Sequence, residues 1–229
     1  MPSKTMLVIA PHPDDEILGA GGIISRFSKA GGEVYILTIA AHKPPLFSEE
    51  IHQKTLSEAR KAHNFIGVKR SIFLDKAAVF LNEEKTSDFN SEIQEVINEI
   101  KPQIVLIPYF DRHIDHRVIF DAAMVTTRPV GIGREIQVLA AYETLSETHW
   151  NAPHIEPNFT PNWVVDITAN IDHKLKAFSY YESQVHKFPS PRSIEALKAL
   201  SLFRGSQAGF AFGEGFHIIR MVCPAECLL

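Results

Sequence analysis

Cysteine is almost absent from this 229-residue chain: only Cys223 and Cys227 occur, and a bridge between them would close a tiny loop and add little stability. Reduced thiols are expected. A zinc site built on that pair needs further ligands at recognisable spacing, and none is evident. Positive charge is not in excess either, since 23 Lys and Arg face 27 Asp and Glu for a net charge of -4. That balance argues against a surface built to neutralise many phosphates, hence against nucleic-acid binding, and against a basic helix lying on a membrane. No apolar run approaches the roughly 20 residues of a membrane span, and Met1 to Ala10 is too short an apolar stretch for a signal peptide. The expectation is a soluble, cytoplasmic protein. Repeats, low-complexity tracts and linker-like shifts in composition are missing as well, so residues 1–229 read as one domain.

Hydrophobic residues make up 45% of the chain, enough for a real core, and their arrangement is regular. Met6 to Ala10 reads as a buried strand, and Ile17, Ala20, Ile24 and Phe27 then recur at helical spacing until Gly31 and Gly32. The same alternation continues, with strands at residues 34–38, 71–74, 104–108, 138–142 and 163–167. Helices fall at 49–66, around 89–100, at 116–127, 171–182 and 193–203, and a short strand at 216–220 closes the chain. Continuous apolar strands separated by helices predict an α/β fold, a doubly wound and mostly parallel sheet covered on both faces. In the common strand order 3-2-1-4-5, strands 1 and 4 are neighbours, and the loops after their carboxyl ends line one crevice.

Those two loops are PHPDDE, residues 11–16, and FDRHIDHR, residues 110–117. His12 and Asp15 are spaced to turn an imidazole nitrogen and a carboxylate oxygen toward one cation, with a third ligand from the second loop. Either His113 or His116 is chemically able to supply it, and spacing does not choose between them. The other is then free to stabilise an oxyanion or protonate a leaving amine. Three protein ligands with an open position describe catalytic zinc, which lowers the pKa of its water to about 7. Asp14 points to a different side from Asp15 and is the candidate general base, while Asp115 can orient either imidazole. Taken singly, Asp14, Asp15 or Glu16 reads as a helix cap. Capping explains neither His12 nor the second His cluster.

HPDDE after the first strand and HxDH after the fourth resemble the LmbE-like, or PIG-L, de-N-acetylase family. The stretches YETLSETHW (142–150), PNWVVDIT (161–168), KLKAFSYYESQ (174–184), FPSPRS (188–193) and RGSQAGFAFGEGF (204–216) resemble it too. The resemblance implies a Rossmann-like fold, zinc or another divalent metal held by His12, Asp15 and His116, and Asp14 as base. It also implies His113 as the oxyanion-stabilising or acid group, with Asp115 beside it. The implied reaction removes acetyl from an N-acetylglucosaminyl substrate, a small N-acetylated amino sugar, and family analogy adds a homo-oligomer. An amidase acting on thiol-sugar conjugates and a non-catalytic sugar- or metal-binding module are the competing readings.

Some positions depart from the family pattern. Ile114 stands where Pro often sits in HPDH, and Thr55 with Lys54 stands where many relatives carry a substrate-binding Arg. Asp111 replaces a Tyr of some thiol-pathway relatives, which favours a general deacetylase, and Gly213 replaces a common Ala. Arg192 lies in a loop able to cover the pocket and hold a substrate hydroxyl, phosphate or carboxylate, or to form a surface salt bridge. Residues 143–161 are assigned to the substrate mouth. Gly19, Gly21 and Gly22 serve close helix packing rather than a dinucleotide loop, since no GxGxxG follows strand 1. Among the remaining histidines only His42, after strand 2, is well placed to join the site. Phe203, Phe210, Phe212 and Phe216 are expected in core or subunit packing.

Overall fold

The computed structural model describes residues 4–223, so Cys227 lies outside the described residues. In chain order the elements are β1 (Thr5–Ala10), α1 (Asp15–Lys29), β2 (Glu33–Ala41), α2 (Glu49–Ile66), β3 (Arg70–Ala77) and α3 (Thr86–Ile100). They continue with β4 (Ile104–Pro108), α4 (Ile114–Thr126), β5 (Val138–Tyr142), β6 (Trp163–Asp166), α5 (Ile171–Phe178), α6 (Ile194–Ser206) and β7 (Gly213–Met221). The strands form one seven-stranded sheet in the order β3-β2-β1-β4-β5-β7-β6. From β3 to β5 every pairing is parallel, as the apolar runs predict. β7 is the exception: it is antiparallel to both β5 and β6 and separates them.

Side chains alternate along each strand, and here both faces are covered. Met6 and Val8 of β1 pack with Ile17, Ile24, Ala59 and Phe178 on the α1, α2 and α5 side. Leu7 and Ile9 point the other way, toward Phe89, Ile93 and Ile119 of α3 and α4. Phe216 is fully buried and Phe212 packs against the first of these cores, whereas Phe203 and Phe210 are exposed. Among the described residues no helix is long and apolar enough to cross a membrane.

Helix ends follow local chemistry. Ser48 Oγ accepts from Ile51 N at the start of α2, Ser193 Oγ does the same for Ala196 N in α6, and Gly67 closes α2 in the left-handed conformation. α4 starts two residues earlier than its apolar periodicity suggests, because the imidazole of His113 caps it: His113 Nδ1 accepts from Asp115 N at 3.2 Å. α5 stops at Phe178 rather than continuing to residue 182, and the chain turns so that Tyr181 is fully buried.

The glycines of α1 pack as expected. A Cβ on Gly19 would overlap the Tyr142 ring and the Glu143 carbonyl, and one on Gly22 would overlap Ile167. Replacing Gly19 by Ala gains about 1 kcal/mol of helix propensity, but overpacking costs about 1–3 kcal/mol. The Gly19→Ala variant should therefore unfold at lower urea concentration than wild type; a raised midpoint would show that the helix can shift away from β5.

Candidate active site

Parallel pairing of Met6–Val8 with residues 104–106 sets β1 and β4 side by side, so the loops leaving their carboxyl ends meet. They interlock through carboxylates. His12 Nδ1 lies 3.2 Å from Asp15 Oδ2, which also accepts from the His12 backbone N–H and lies 3.3 Å from His116 Nε2. Each imidazole is held from behind. His12 Nε2 is 2.8 Å from Asp115 Oδ2, and His116 Nδ1 is 2.9 Å from Asp111 Oδ2. Asp115 Oδ2 accepts in addition from Val79 N, and Asp111 Oδ2 from Thr148 Oγ1. One nitrogen from each of His12, His113 and His116 falls within 4.8 Å of the others.

Asp14 is the N-cap residue of α1, but its side chain makes no capping hydrogen bond. Its backbone sits at φ 109°, ψ -28°, a left-handed conformation that costs a non-glycine residue about 1–3 kcal/mol. Its carboxylate is fully buried, and neither oxygen has a hydrogen-bond partner. Asp15 Oδ1 and His116 Nε2 are buried in the same place without a hydrogen-bond partner, His116 Nε2 having its 3.3 Å ion-pair contact with Asp15 Oδ2. Buried polar atoms are ordinarily paired; orphaned acceptors converging on a cluster of imidazoles fit a divalent cation, so the residues present match the group the sequence motif implies. Arg192 Nη1 lies 3.4 Å from Asp14 Oδ2. Arg192 is fixed by Ser146 Oγ at 3.0 Å and Gln184 Oε1 at 2.8 Å, so its loop does reach the crevice.

Electrostatics separate these groups. Burial pushes the Asp14 carboxyl well above the usual carboxylate range, and Arg192 only partly offsets it. Burial acts on Asp15 in the same direction, but the imidazoles of His116 and His12 outweigh it and hold its carboxyl well below that range. Burial opposes charge on His116, yet Asp15 and Asp111 raise it to about 10. Burial and the neighbouring His12 and His116 depress His113 to about 4, so it is neutral at neutral pH. His42 stacks 6.0 Å from the His12 ring and falls to about 4, mainly by burial.

The structure thus gathers His12, Asp14, Asp15, His113, Asp115, His116 and Arg192 in one crevice. Asp115 faces His12 rather than His113. Thr55, at the expected substrate-binding position, donates its hydroxyl to His52 O within α2, and Lys54 is exposed. Asp111, which the sequence marks only as a departure from the family pattern, is the partner of His116; a carboxylate five residues before a candidate ligand is the available signal.

A doubly wound α/β sheet with a histidine–carboxylate cluster at its strand crossover defines the class. The chain belongs to the GlcNAc-PI de-N-acetylase (PIG-L) family, whose model matches residues 7–127 and so spans both loops. It is 27% identical over 236 residues to the diacetylchitobiose deacetylase of Thermococcus kodakarensis, covering 96% of this chain and 86% of that protein. The N,N'-diacetylchitobiose deacetylase of Pyrococcus horikoshii has the same fold, with TM-score 0.74 and 24% identity over 100% of this chain and 90% of that one. So has a 4-carboxy-2-hydroxymuconate hydratase from Pseudomonas putida KT2440, with TM-score 0.77 and 17% identity, covering 96% and 98% of the two chains.

The wall of the crevice after β5 hangs on Glu143, whose two oxygens accept from Arg204 Nε and Nη2 at 2.7 and 2.6 Å. Burial opposes the charged form of Glu143, but Arg204 and His149 overcome it and hold the carboxyl below its ordinary 4.5. A depressed folded pKa gives stability that is complete above about 4.5 and lost as pH falls through the folded value. The gap in urea stability between wild type and Glu143→Gln should therefore narrow below pH 4.5; a gap independent of pH would contradict this account.

Proposed function

We propose that this protein is a divalent-metal-dependent N-deacetylase that hydrolyses the acetamide of an N-acetylglucosaminyl substrate, with zinc as its metal and residues 1–229 as one catalytic domain acting in the cytoplasm. The observation that carries the reading is the fully buried Asp14 carboxylate, which accepts no hydrogen bond and meets the Arg192 guanidinium at 3.4 Å, beside Asp15 Oδ1 and His116 Nε2, which also lack hydrogen-bond partners. A cation bound there supplies Lewis-acid polarisation of the carbonyl and makes water acidic enough to react at neutral pH.

Tautomers support one assignment of the ligands. With a metal bound and both rings neutral, Asp115 and Asp111 would take the N–H of His12 Nε2 and His116 Nδ1, leaving the lone pairs of His12 Nδ1 and His116 Nε2, the two nitrogens that face Asp15, for the metal, with Asp15 as third ligand. His113 is arranged the opposite way. Its Nδ1 accepts the Asp115 backbone N–H, so Nε2 carries the proton and is a donor rather than a ligand. That N–H stabilises oxygen charge as the acetamide carbon becomes tetrahedral. Asp14 accepts a proton from the attacking water and returns one to the nitrogen as the C–N bond breaks, giving acetate and a free amine. Asp115 acts through His12, as a positioning residue. Arg192 covers Asp14 and is the candidate for holding a substrate hydroxyl or an anionic group.

The thiol-sugar reading is less well supported, because both oxygens of Asp111 are engaged with His113 N, His116 and Thr148 and are not offered to a ligand. A binding module has no use for an extra carboxylate buried without a hydrogen bond beside a complete donor set.

Acetate release from N-acetylglucosamine and N,N'-diacetylchitobiose tests the activity; it should vanish on chelation and return with zinc, and chelator-resistant turnover would refute metal dependence. Asp14→Asn should keep bound zinc while losing turnover by at least about 100-fold, as expected for loss of a general base. Asp15→Ala should lower zinc content, and a full metal complement in that variant would remove Asp15 from the ligand set. Gel filtration with light scattering tests the homo-oligomer implied by family resemblance.

A further inference from the structure

Behind Asp14 lies a buried network that the reaction above leaves unused. Glu16 is fully buried, and its Oε2 accepts from Asp14 N at 3.2 Å. Its other oxygen accepts a hydrogen bond from Tyr181 OH and lies 3.1 Å from His63 Nε2. His63 is 1% exposed, contacts Ser71 Oγ through Nδ1 at 2.7 Å and stacks on the Phe73 ring. Four separate pieces of chain, α1, α2, β3 and the turn after α5, thus place polar groups around one carboxylate with no access to water. Burying such groups is unfavourable unless they are fully paired, so the arrangement calls for a reason.

The reason sits at the Asp14 backbone. Its carbonyl accepts from Ile17 N at 3.0 Å and Leu18 N at 2.9 Å, which fixes the peptide on the carboxyl side of Cα. Its N–H is bound by Glu16, which fixes the peptide on the amino side. The two clamps hold φ at 109°, where an unclamped aspartate would relax to an ordinary helix start and turn its carboxylate into the cap. The side chain accepts no hydrogen bond and meets Arg192 Nη1 at 3.4 Å, so the backbone does most to set its aim.

We propose that Glu16, locked by Tyr181 and His63, is a positioning residue that holds the strained Asp14 backbone so that its carboxylate faces the imidazole cluster. The inference rests on Asp14 being the general base. Glu16→Gln is the sharp variant, because two oxygens are needed to accept from two donors, and an amide offers only one. Tyr181→Phe removes one of those donors and leaves the carboxylate in place.

Acetate release is measured from N-acetylglucosamine and N,N'-diacetylchitobiose, with zinc content determined in parallel. Each variant should lose about 10–100-fold in kcat, the scale of a misplaced reacting group, with KM within about 2-fold and zinc as in wild type. In an Asp14→Asn background the same substitutions should cost less than about 2-fold, since they act through that side chain. Exchange of the Asp14 amide hydrogen, followed by NMR, should be slow in wild type and at least about 10-fold faster in both variants, a readout independent of turnover. Unchanged kcat in both variants, equal losses in both backgrounds, loss of zinc, or a freely exchanging wild-type amide would each overturn the proposal. If Glu16→Gln does not fold, Tyr181→Phe alone decides. An Asp14→Asn variant with full turnover defeats the general-base reading and this proposal together; normal Glu16 and Tyr181 variants beside an inactive Asp14→Asn defeat this proposal only.

Discussion

A single carboxylate oxygen, Asp15 Oδ2, joins two loops that are about a hundred residues apart in the chain. It touches the backbone and ring of His12 on one side and the ring of His116 on the other. That junction exists because β1 and β4 are parallel neighbours at the middle of the sheet. It is costly in isolation, since a buried anion among imidazoles must overcome its own desolvation. Asp111 and Asp115, one behind each ring, complete the charge balance. The site is therefore a layered structure in which carboxylates alternate with imidazoles.

The fold was largely legible because parallel strands buried on both faces leave long apolar runs, and helices that cover them leave a 3.6-residue period. The order β3-β2-β1-β4-β5 and the meeting of the two motifs follow from that pattern. β7 escaped it: antiparallel insertion between β5 and β6 is decided by where the chain returns after α6, which no local pattern records. The early start of α4 was hidden for a different reason, since an imidazole is an uncommon cap. Tyr181 lies within a segment whose periodicity continues the helix, yet burial of its hydroxyl on Glu16 ends that helix early.

Side-chain chemistry was legible to the same degree. The identity of the residues in PHPDDE and HIDH pointed to a metal and a base, but the direction of each ring nitrogen did not appear in the spacing. It depends on Asp111, on Asp115 and on one backbone N–H, all fixed only in three dimensions. A hydratase shares this fold, so the fold by itself does not fix the reaction.

The position of β7 also orders the birth of the molecule. β6 pairs with β7 alone, and β7 is the last strand among the described residues. While the chain leaves the ribosome, the five parallel strands can assemble with α1 to α4, but β5 keeps a bare edge and β6 has no partner. Tyr181 and Arg192 belong to that late part. Synthesis can therefore deliver the His–Asp junction first and shield Asp14 only once translation has gone beyond Arg192, well into the final third of the chain.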